Sequence, residues 1–515
     1  MCREGARKQL SLAGLSLLGD ADGGKGFRAF CHERGMVLVW KSGWPQTGDH
    51  LDHTSHDKRV HGMKSYEMDM TTGSLWKKIL IFSVPLMFSN ILQIVFNISD
   101  VAVVGKFAGP IALGAVGSTS ILITLTTGLL LGLSSGVSAL TALYIGARDH
   151  TGVKKTVHTA AILMAFAGVA IMVLGTALAG VVLTAMHTKE ELIAGAVCYL
   201  RIYLLGTPAL ALFNFGNAVL SAAGDTRRPL NYLTFAGVVN VLLNLFFVIV
   251  CHMGVSGVAV ASIISQYISA VLVIRLLLGS TESFGLRPDS LQVDRDKMRR
   301  ILSIGIPSAL QYALFAVANL FVQTSVNYFD HVMVEGNSAA ANSDPLVYDM
   351  MAAFYTACTS FIAQNLGAGN RKRIRKSFYI CLVYSFGLGL ALGVGIYVMR
   401  YPFLSMFTSD QAVVNAGIKR LSVMALSYCV SAFMDCTIAA SRGLGKTVVP
   451  MLIVTAGSTL FRLIWIWTVF AHFRTIESLY LLYVCSWTVT AAAEIAYFVW
   501  VFKGVGRQEQ AAQGS

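Results

Sequence analysis

Charge is scarce in this chain. Asp, Glu, Lys and Arg make up only 13% of its 515 residues, against roughly 25% in an average soluble protein. A soluble chain of this length would divide into several domains with polar surfaces, so a soluble multidomain enzyme is excluded. The nine cysteines fall singly, with no C-x-x-C pair and no framework of close spacings, and those in apolar stretches read as small apolar fillers. What is present is apolar: 55% of residues are hydrophobic, and long uncharged stretches follow one another from about Leu75 to Phe502. The 47 Gly and 28 Phe suit membrane helices, which use small residues to pack closely. A net charge of +13 would suggest nucleic acid in a soluble protein. Here the charges sit in short loops, and no nucleic-acid partner is expected.

A transmembrane helix needs about 20 apolar residues. Twelve such spans fit, at 77–104, 113–145, 156–184, 194–222, 229–251, 255–278, 300–329, 347–368, 377–400, 412–441, 449–471 and 478–502. Loop charge orients them. With ten in the N-terminal region set aside, and Arg201, Lys419, Arg420 and Arg462 in or at the edge of spans, 22 Lys and Arg, including the runs Arg287–Arg300 and Arg371–Lys376, fall on one side of the membrane. Four (Lys106, Lys189, Arg400 and Arg474) fall on the other. The positive-inside rule makes the richer side cytoplasmic. The expectation is a multi-pass protein of the cell's inner (plasma) membrane, with both termini cytoplasmic and the lipid bilayer as its partner.

The second half repeats the first. Ile79–Pro85 reappears as Ile301–Pro307, an offset of 222, while Gly146-Ala147 matches Gly367-Ala368 and Gly224-x-Thr226-x-x-Pro229 matches Gly445-x-Thr447-x-x-Pro450, each at 221. One offset held over this distance indicates duplication. Six spans per unit is an even number, so both halves keep one orientation and face each other across a central cavity. The fold class expected is all-α, with 12 transmembrane helices in two six-helix repeats. Its boundaries are an N-terminal extension at 1–74, an N-lobe at 75–280, a cytoplasmic linker at 281–299, a C-lobe at 300–502 and a cytoplasmic tail at 503–515. The repeat also disposes of a phosphate-loop reading of Gly443-Leu444-Gly445-Lys446-Thr447. That motif requires glycine at position 440, where Ala440 stands, and its repeat partner carries Asp225 in place of the lysine. A tight turn remains. Without a nucleotide site, active transport must draw on an ion gradient.

An ionisable group inside the bilayer costs about 2.5–3.5 kcal/mol on insertion scales, so each is a functional candidate. Asp100, Asp435 and Glu494 are the clear acids, and Arg462 is the base near a span's middle. Asp100, 15 residues beyond Pro85, is either a cation carboxylate or a helix-end acid facing outer water. Asn240 and Asn244 share one helical face and Ser262 lies on the next helix. Their oxygens are hard ligands of the kind sodium accepts, though such groups also serve as interhelical glue. Asp435, Arg462 and Glu494 fall on three successive helices and are expected to neutralise one another as a buried pair or triad. Gln93, Asn97, Asn217, Gln311 and Gln364 are candidates to line a polar cavity. No metal site is expected beyond sodium at the cation position, and no cofactor beyond a coupling ion, Na+ or H+.

Pro85 followed by Asn97-Ile98-Ser99-Asp100-Val101-Ala102-Val103-Val104-Gly105 resembles the first helix of the multidrug and toxic compound extrusion (MATE) family. Gly146-Ala147-Arg148, Asn365–Gly369, Ser221–Thr226 and Ser441–Thr447 are similar to its loop motifs. Asn240-x-x-x-Asn244 with Met253–Ser262 resembles its fifth and sixth helices. The resemblance covers roughly Leu75 to Phe502. It implies an exporter of drugs and other organic, often cationic, compounds, driven by sodium or proton entry, whose lobes rock between inward- and outward-open states. On the family pattern Asp100 is the N-lobe cation carboxylate, Asn240, Asn244 and Ser262 are its polar partners, and Pro85 is a bend point. The chain departs from that pattern at Asn244, where many members carry Asp, and at Ser262, where many carry Thr, which leaves the ion open. Asp435 resembles an acid of the tenth helix in some members, whereas Gln311 and Tyr312 stand where some carry a seventh-helix glutamate.

Residues 1–62 contain no apolar run long enough to span. They are expected to be disordered or untranslated, with Met63, Met68 and Met70 as alternative starts, and His50, His53 and His56 read as chance rather than a metal site. A flippase for a lipid-linked sugar, related in superfamily, is the nearest alternative function. A membrane-embedded enzyme or receptor is the alternative from another class, but no cluster of His, Cys, Ser or acids at catalytic spacing appears within the spans. A monomer is expected.

Overall fold

The computed structural model of the protein describes residues 28–32, 35–39 and 68–513. In the extension, β1 (Arg28–His32) and β2 (Gly35–Val39) pair antiparallel, with Arg28 opposite Val39. The expectations for the rest of residues 1–62, including the three histidines, lie outside the described residues.

The body from residue 68 onward is helical. Its N-terminal half comprises α1 (Leu75–Val103, continued as a π-helical turn over Val104–Ala108), α2 (Pro110–Gly146), α3 (His150–Ala185), α4 (Glu190–Leu205), α5 (Thr207–Ala222), α6 (Arg227–Leu245) and α7 (Gly254–Gly279). Its C-terminal half comprises α8 (Arg295–Val326), α9 (His331–Ala341), α10 (Ser343–Gly367), α11 (Arg371–Val398), α12 (Arg400–Ser405), α13 (Gln411–Gly443), then α14 (Val448–Val454), α15 (Phe461–Trp465) and α16 (Ala471–Phe473) joined by π-helical turns, and α17 (Ile476–Gln513). Among the described residues, 11 helices are long and apolar enough to cross a bilayer, and α4 with α5, bent by 45° at Gly206, makes a twelfth span. Thr207 braces that bend, its hydroxyl donating to the Gly168 carbonyl at 3.0 Å and the Leu204 carbonyl at 2.8 Å.

Several of the scarce loop acids serve the helix starts. Asp149, Asp294, Asp330 and Asp410 each accept hydrogen bonds from first-turn amides of α3, α8, α9 and α13, satisfying donors that have no partner within the helix. The eighth span departs from expectation. Its helix runs over His331–Gly367 with a break at Asn342, whereas hydropathy alone starts it at 347. The charges of Glu335, which is exposed, and Asp344, which pairs with Arg420, lower the hydropathy of its first turns.

The halves meet at one end of the molecule. There α2 packs along α8 and α10, and α1 along α10. A Cβ added to Gly146 would lie 1.9 Å from the Gln364 carbonyl oxygen, and one added to Gly367 would lie 1.9 Å from that of Leu143. These two contacts exchange under the 221-residue repeat, so the backbones touch across a two-fold axis at the one residue type, glycine, that has no Cβ to prevent it. Gln364 and Asn365 complete the seam. Gln364 donates to the Ala222 carbonyl at 2.7 Å and accepts from the Met70 amide at 3.2 Å, while Asn365 donates to the Met70 carbonyl at 3.2 Å. Arg148, Lys297 and Arg371 lie near this same basic end. Contacts between the halves run from this seam as far as Gly128 against Tyr312 and Asn90 against the Asp349 carbonyl.

The repeated threonines are also tied in. Thr226 donates to the Phe82 carbonyl at 2.9 Å and Thr447 to the Ser303 carbonyl at 3.0 Å. Pro307 has no N–H for the carbonyl four residues back, which is that of Ser303, so Thr447 supplies the missing donor from another helix. Gly224 and Gly445 adopt φ of +89° and +72°, the left-handed turn that glycine permits. The phosphate-loop lookalike is therefore a turn.

Candidate functional site

Gly237, Asn240 and Asn244 occupy one face of α6 at spacings of three and four. A Cβ on Gly237 would fall 1.8 Å from the Phe96 ring, so α6 approaches α1 closely there, and Asp100 lies one turn beyond Phe96. This brings the amides to the carboxylate. Asn244 Nδ2 donates to Asp100 Oδ1, and Ser262 Oγ donates to Asp100 Oδ2 at 3.2 Å. Asn240 Nδ2 reaches Ser262 Oγ at 3.5 Å, and Asn244 Nδ2 reaches Asn240 Oδ1 at 3.3 Å. Asn240, Asn244 and Ser262 are buried, while Asp100 is half-buried. No basic side chain makes an ion pair with Asp100 among the described residues. The Asn244 Oδ1 atom is buried without a donor, and a buried acceptor in that state is costly unless something outside the protein satisfies it. A carboxylate, two amide oxygens and a hydroxyl make an all-oxygen set of the type hard cations take. Pro85 lies buried inside α1, and Ser89 donates to its carbonyl at 3.1 Å.

A cavity of about 600 Å³ lies chiefly against the C-terminal half. Asn217 and Gln311 line it, together with Asn214, Asn319 and Gln323. The other expected lining residues stand elsewhere: Gln364 is buried in the seam, and Gln93 and Asn97 are exposed on α1 outside this cavity. Tyr312, Phe315, Tyr348, Tyr355, Tyr483 and Trp487 give the cavity aromatic walls.

The expected neutralisation of Asp435, Arg462 and Glu494 does not occur. Among the described residues no ion pair joins any two of them. Arg462 donates to Asn319 Oδ1 at 2.7 Å, Asp435 stands near Ser431 and Tyr355, and both Glu494 oxygens are buried without hydrogen-bond partners. Arg462 stands level with Ser486, two turns along α17 from Glu494, so the base and that acid lie at different depths. The buried pair present in the C-terminal half is a different one. Arg420 Nη2 meets Asp344 Oδ2 at 2.7 Å, Arg420 Nη1 donates to Asn337 Oδ1 at 2.7 Å, and the Tyr428 hydroxyl donates to Asp344 Oδ1 at 2.5 Å. Asp344 and Asp349, both on the cavity wall, escaped sequence reasoning. The signal for Asp344 was available in Arg420, a base at the edge of a span that needed an acid.

The MatE family profile matches residues 85–246 and again 307–468, two blocks displaced by the same 222 residues that separate Pro85 from Pro307. The probable multidrug resistance protein YpnP of Bacillus subtilis is 29% identical over 369 residues, covering 71% of this chain and 81% of that protein. The probable multidrug resistance protein NorM of Thermotoga maritima is 24% identical over 399 residues, covering 76% and 84%. A MOP superfamily transporter from Pyrococcus furiosus superposes with a TM-score of 0.80 at 21% identity, covering 85% of this chain and 98% of that one, which shows a shared fold. With two profile matches over more than half of its length, on a helical fold of two six-helix repeats, the chain belongs to the MatE family: it is a multi-pass membrane transporter of the multidrug and toxic compound extrusion type, not an enzyme.

Proposed function

We propose that this transporter is a secondary exporter that antiports organic, often cationic, compounds against Na+ or H+ by alternating access. The observation that carries this reading is the Asp100 carboxylate, held by Asn244 and Ser262 beside the unpartnered Asn244 Oδ1. A cation arriving there would gain a charged ligand and neutral oxygens, and a proton would convert the carboxylate into a donor that the amide oxygen can accept. Coupling follows if the occupied and vacant site favour different conformations. With the basic end cytoplasmic, the seam at Gly146 and Gly367 closes the inner side and the cavity is reached from outside. The protein works as a monomer in the inner membrane with both termini in the cytoplasm, its lobes following the boundaries drawn from the sequence. Flipping of a lipid-linked sugar is the weaker alternative.

The test is transport in proteoliposomes with sodium and proton gradients imposed separately. One of the two gradients should drive accumulation of a fluorescent organic cation, and Asp100→Asn should abolish it while the protein still inserts. Efflux by the variant at the wild-type rate refutes the role of Asp100.

A further inference from the structure

Arg462 is the largest of the fully buried side chains, at 2% exposure, yet no carboxylate pairs with it among the described residues. Its Nη1 donates to Asn319 Oδ1 at 2.7 Å and its Nε to Ser486 Oγ at 3.5 Å, and its Cζ lies 4.6 Å from the centre of the Tyr483 ring. The titratable groups that act on it are the Tyr483 and Tyr348 hydroxyls. Its Nη2 makes no hydrogen bond, and it is not among the sealed-in polar atoms. It therefore opens onto the cavity whose wall Arg462 helps to form. A guanidinium does not release its proton in a protein, and a buried charge without a counterion is strongly unfavourable. Asp344, on the same cavity wall, is held by Arg420 and Tyr428.

We infer that Arg462 and Asn319 form an anion subsite of the transport cavity, which takes the carboxylate or phosphate of an aromatic solute. This rests on reading the cavity as the transport site. A free, planar Nη2 with aromatic faces alongside suits an oxyanion carried on a ring system. Asp349 and Asp435 line the same cavity, so a solute with a cationic group as well finds a partner for each charge. The repeat relates the two positions only in part. Arg462 follows Asn240 by 222 residues and Asn319 follows Asn97 by 222, the offset of the paired prolines, while Ser486 follows Ser265 by 221. Arg462 thus stands at the repeat position of Asn240, a member of the cation site, whereas Asn97 and Ser265 lie outside that site.

The test compares a rhodamine bearing a free benzoate with the methyl ester of the same dye, by fluorescence anisotropy on the purified protein in nanodiscs. Wild type should bind the acid at least about tenfold more tightly than the ester, since the ester leaves the guanidinium unpaired. Arg462→Gln should erase the preference by weakening the acid alone, and Arg462→Lys should keep part of it. Asn319→Asp, which gives Arg462 an internal counterion without emptying the site, should also erase it. Equal affinities in wild type, or acid and ester weakened alike by both Arg462→Gln and Asn319→Asp, would overturn the inference. Binding needs no ion gradient, so a failure of coupled export leaves this measurement intact.

Discussion

Replacing Gly146 or Gly367 by alanine should push the transporter away from the state described here. Each new Cβ would stand 1.9 Å from a carbonyl oxygen of the other half. Ordinary contact begins near 3.5 Å, so the backbones must part by about 1.5 Å. Helix backbones do not yield as a flexible side chain would, and overpacking of this kind costs about 1–3 kcal/mol. That lowers the closed seam's population relative to the open one by roughly 5- to 150-fold. The second alanine should add less than the first, because both act on one seam that is already parted. Spin labels at Lys154 and Lys372, both exposed near the seam, report the separation by electron double resonance once the exposed Cys198 and Cys251 and the extension's cysteines are replaced. Both variants should shift the distance distribution toward longer values and slow efflux, whereas Gly117→Ala, whose Cβ meets nothing within 4 Å, should do neither. Unchanged distances in both seam variants would refute the reasoning.

Two further outcomes can be checked on the purified protein. Asp344→Asn leaves Arg420, only 5% exposed, without its charge partner, and the loss should be about 3 kcal/mol. The double variant Asp344→Asn/Arg420→Gln should melt closer to wild type than Asp344→Asn alone, and a double variant less stable than either single one would contradict the pairing. Asp294, in the linker before α8, is held below its ordinary carboxyl value of 3.8, first by the Lys297 amide and then by Lys155 at 3.3 Å. The stability it supplies is present above that value and is lost as pH falls through the lower folded one. Melting temperature should therefore drop less steeply for Asp294→Ala than for wild type below pH 4, and parallel curves would count against it.

The spans and the duplication were legible in the sequence because lipid imposes length and low charge, and because repeated motifs keep their spacing. Asp100 with Asn240, Asn244 and Ser262 was legible as a group for a related reason. Few polar residues are tolerated there, and a spacing of four on one helix sets the two amides on one face. The C-terminal half was harder. Hydropathy discards a helix that carries Glu335 and Asp344, so the partner of Arg420 was read as part of a loop. Arg462 was matched to Asp435 and Glu494 from approximate span bounds, but it stands level with Ser486, two turns along α17 from Glu494, a difference that such bounds do not resolve. The seam is another case. Gly146 and Gly367 stood out as repeat markers, but only packing reveals that each lies against the other's neighbour.

That reciprocity bears on ancestry. A contact in which residue i of one unit meets residue j of the other, and j meets i, is isologous, the kind made by two identical chains around a two-fold axis. Gly146 on Gln364 and Gly367 on Leu143 satisfy that condition at the repeat offset. A six-helix ancestor carrying one glycine and one exposed carbonyl would already have been able to dimerise along this seam. Joining two such units in one gene then freed each copy to diverge, and the surface that must still match is the one where they touch.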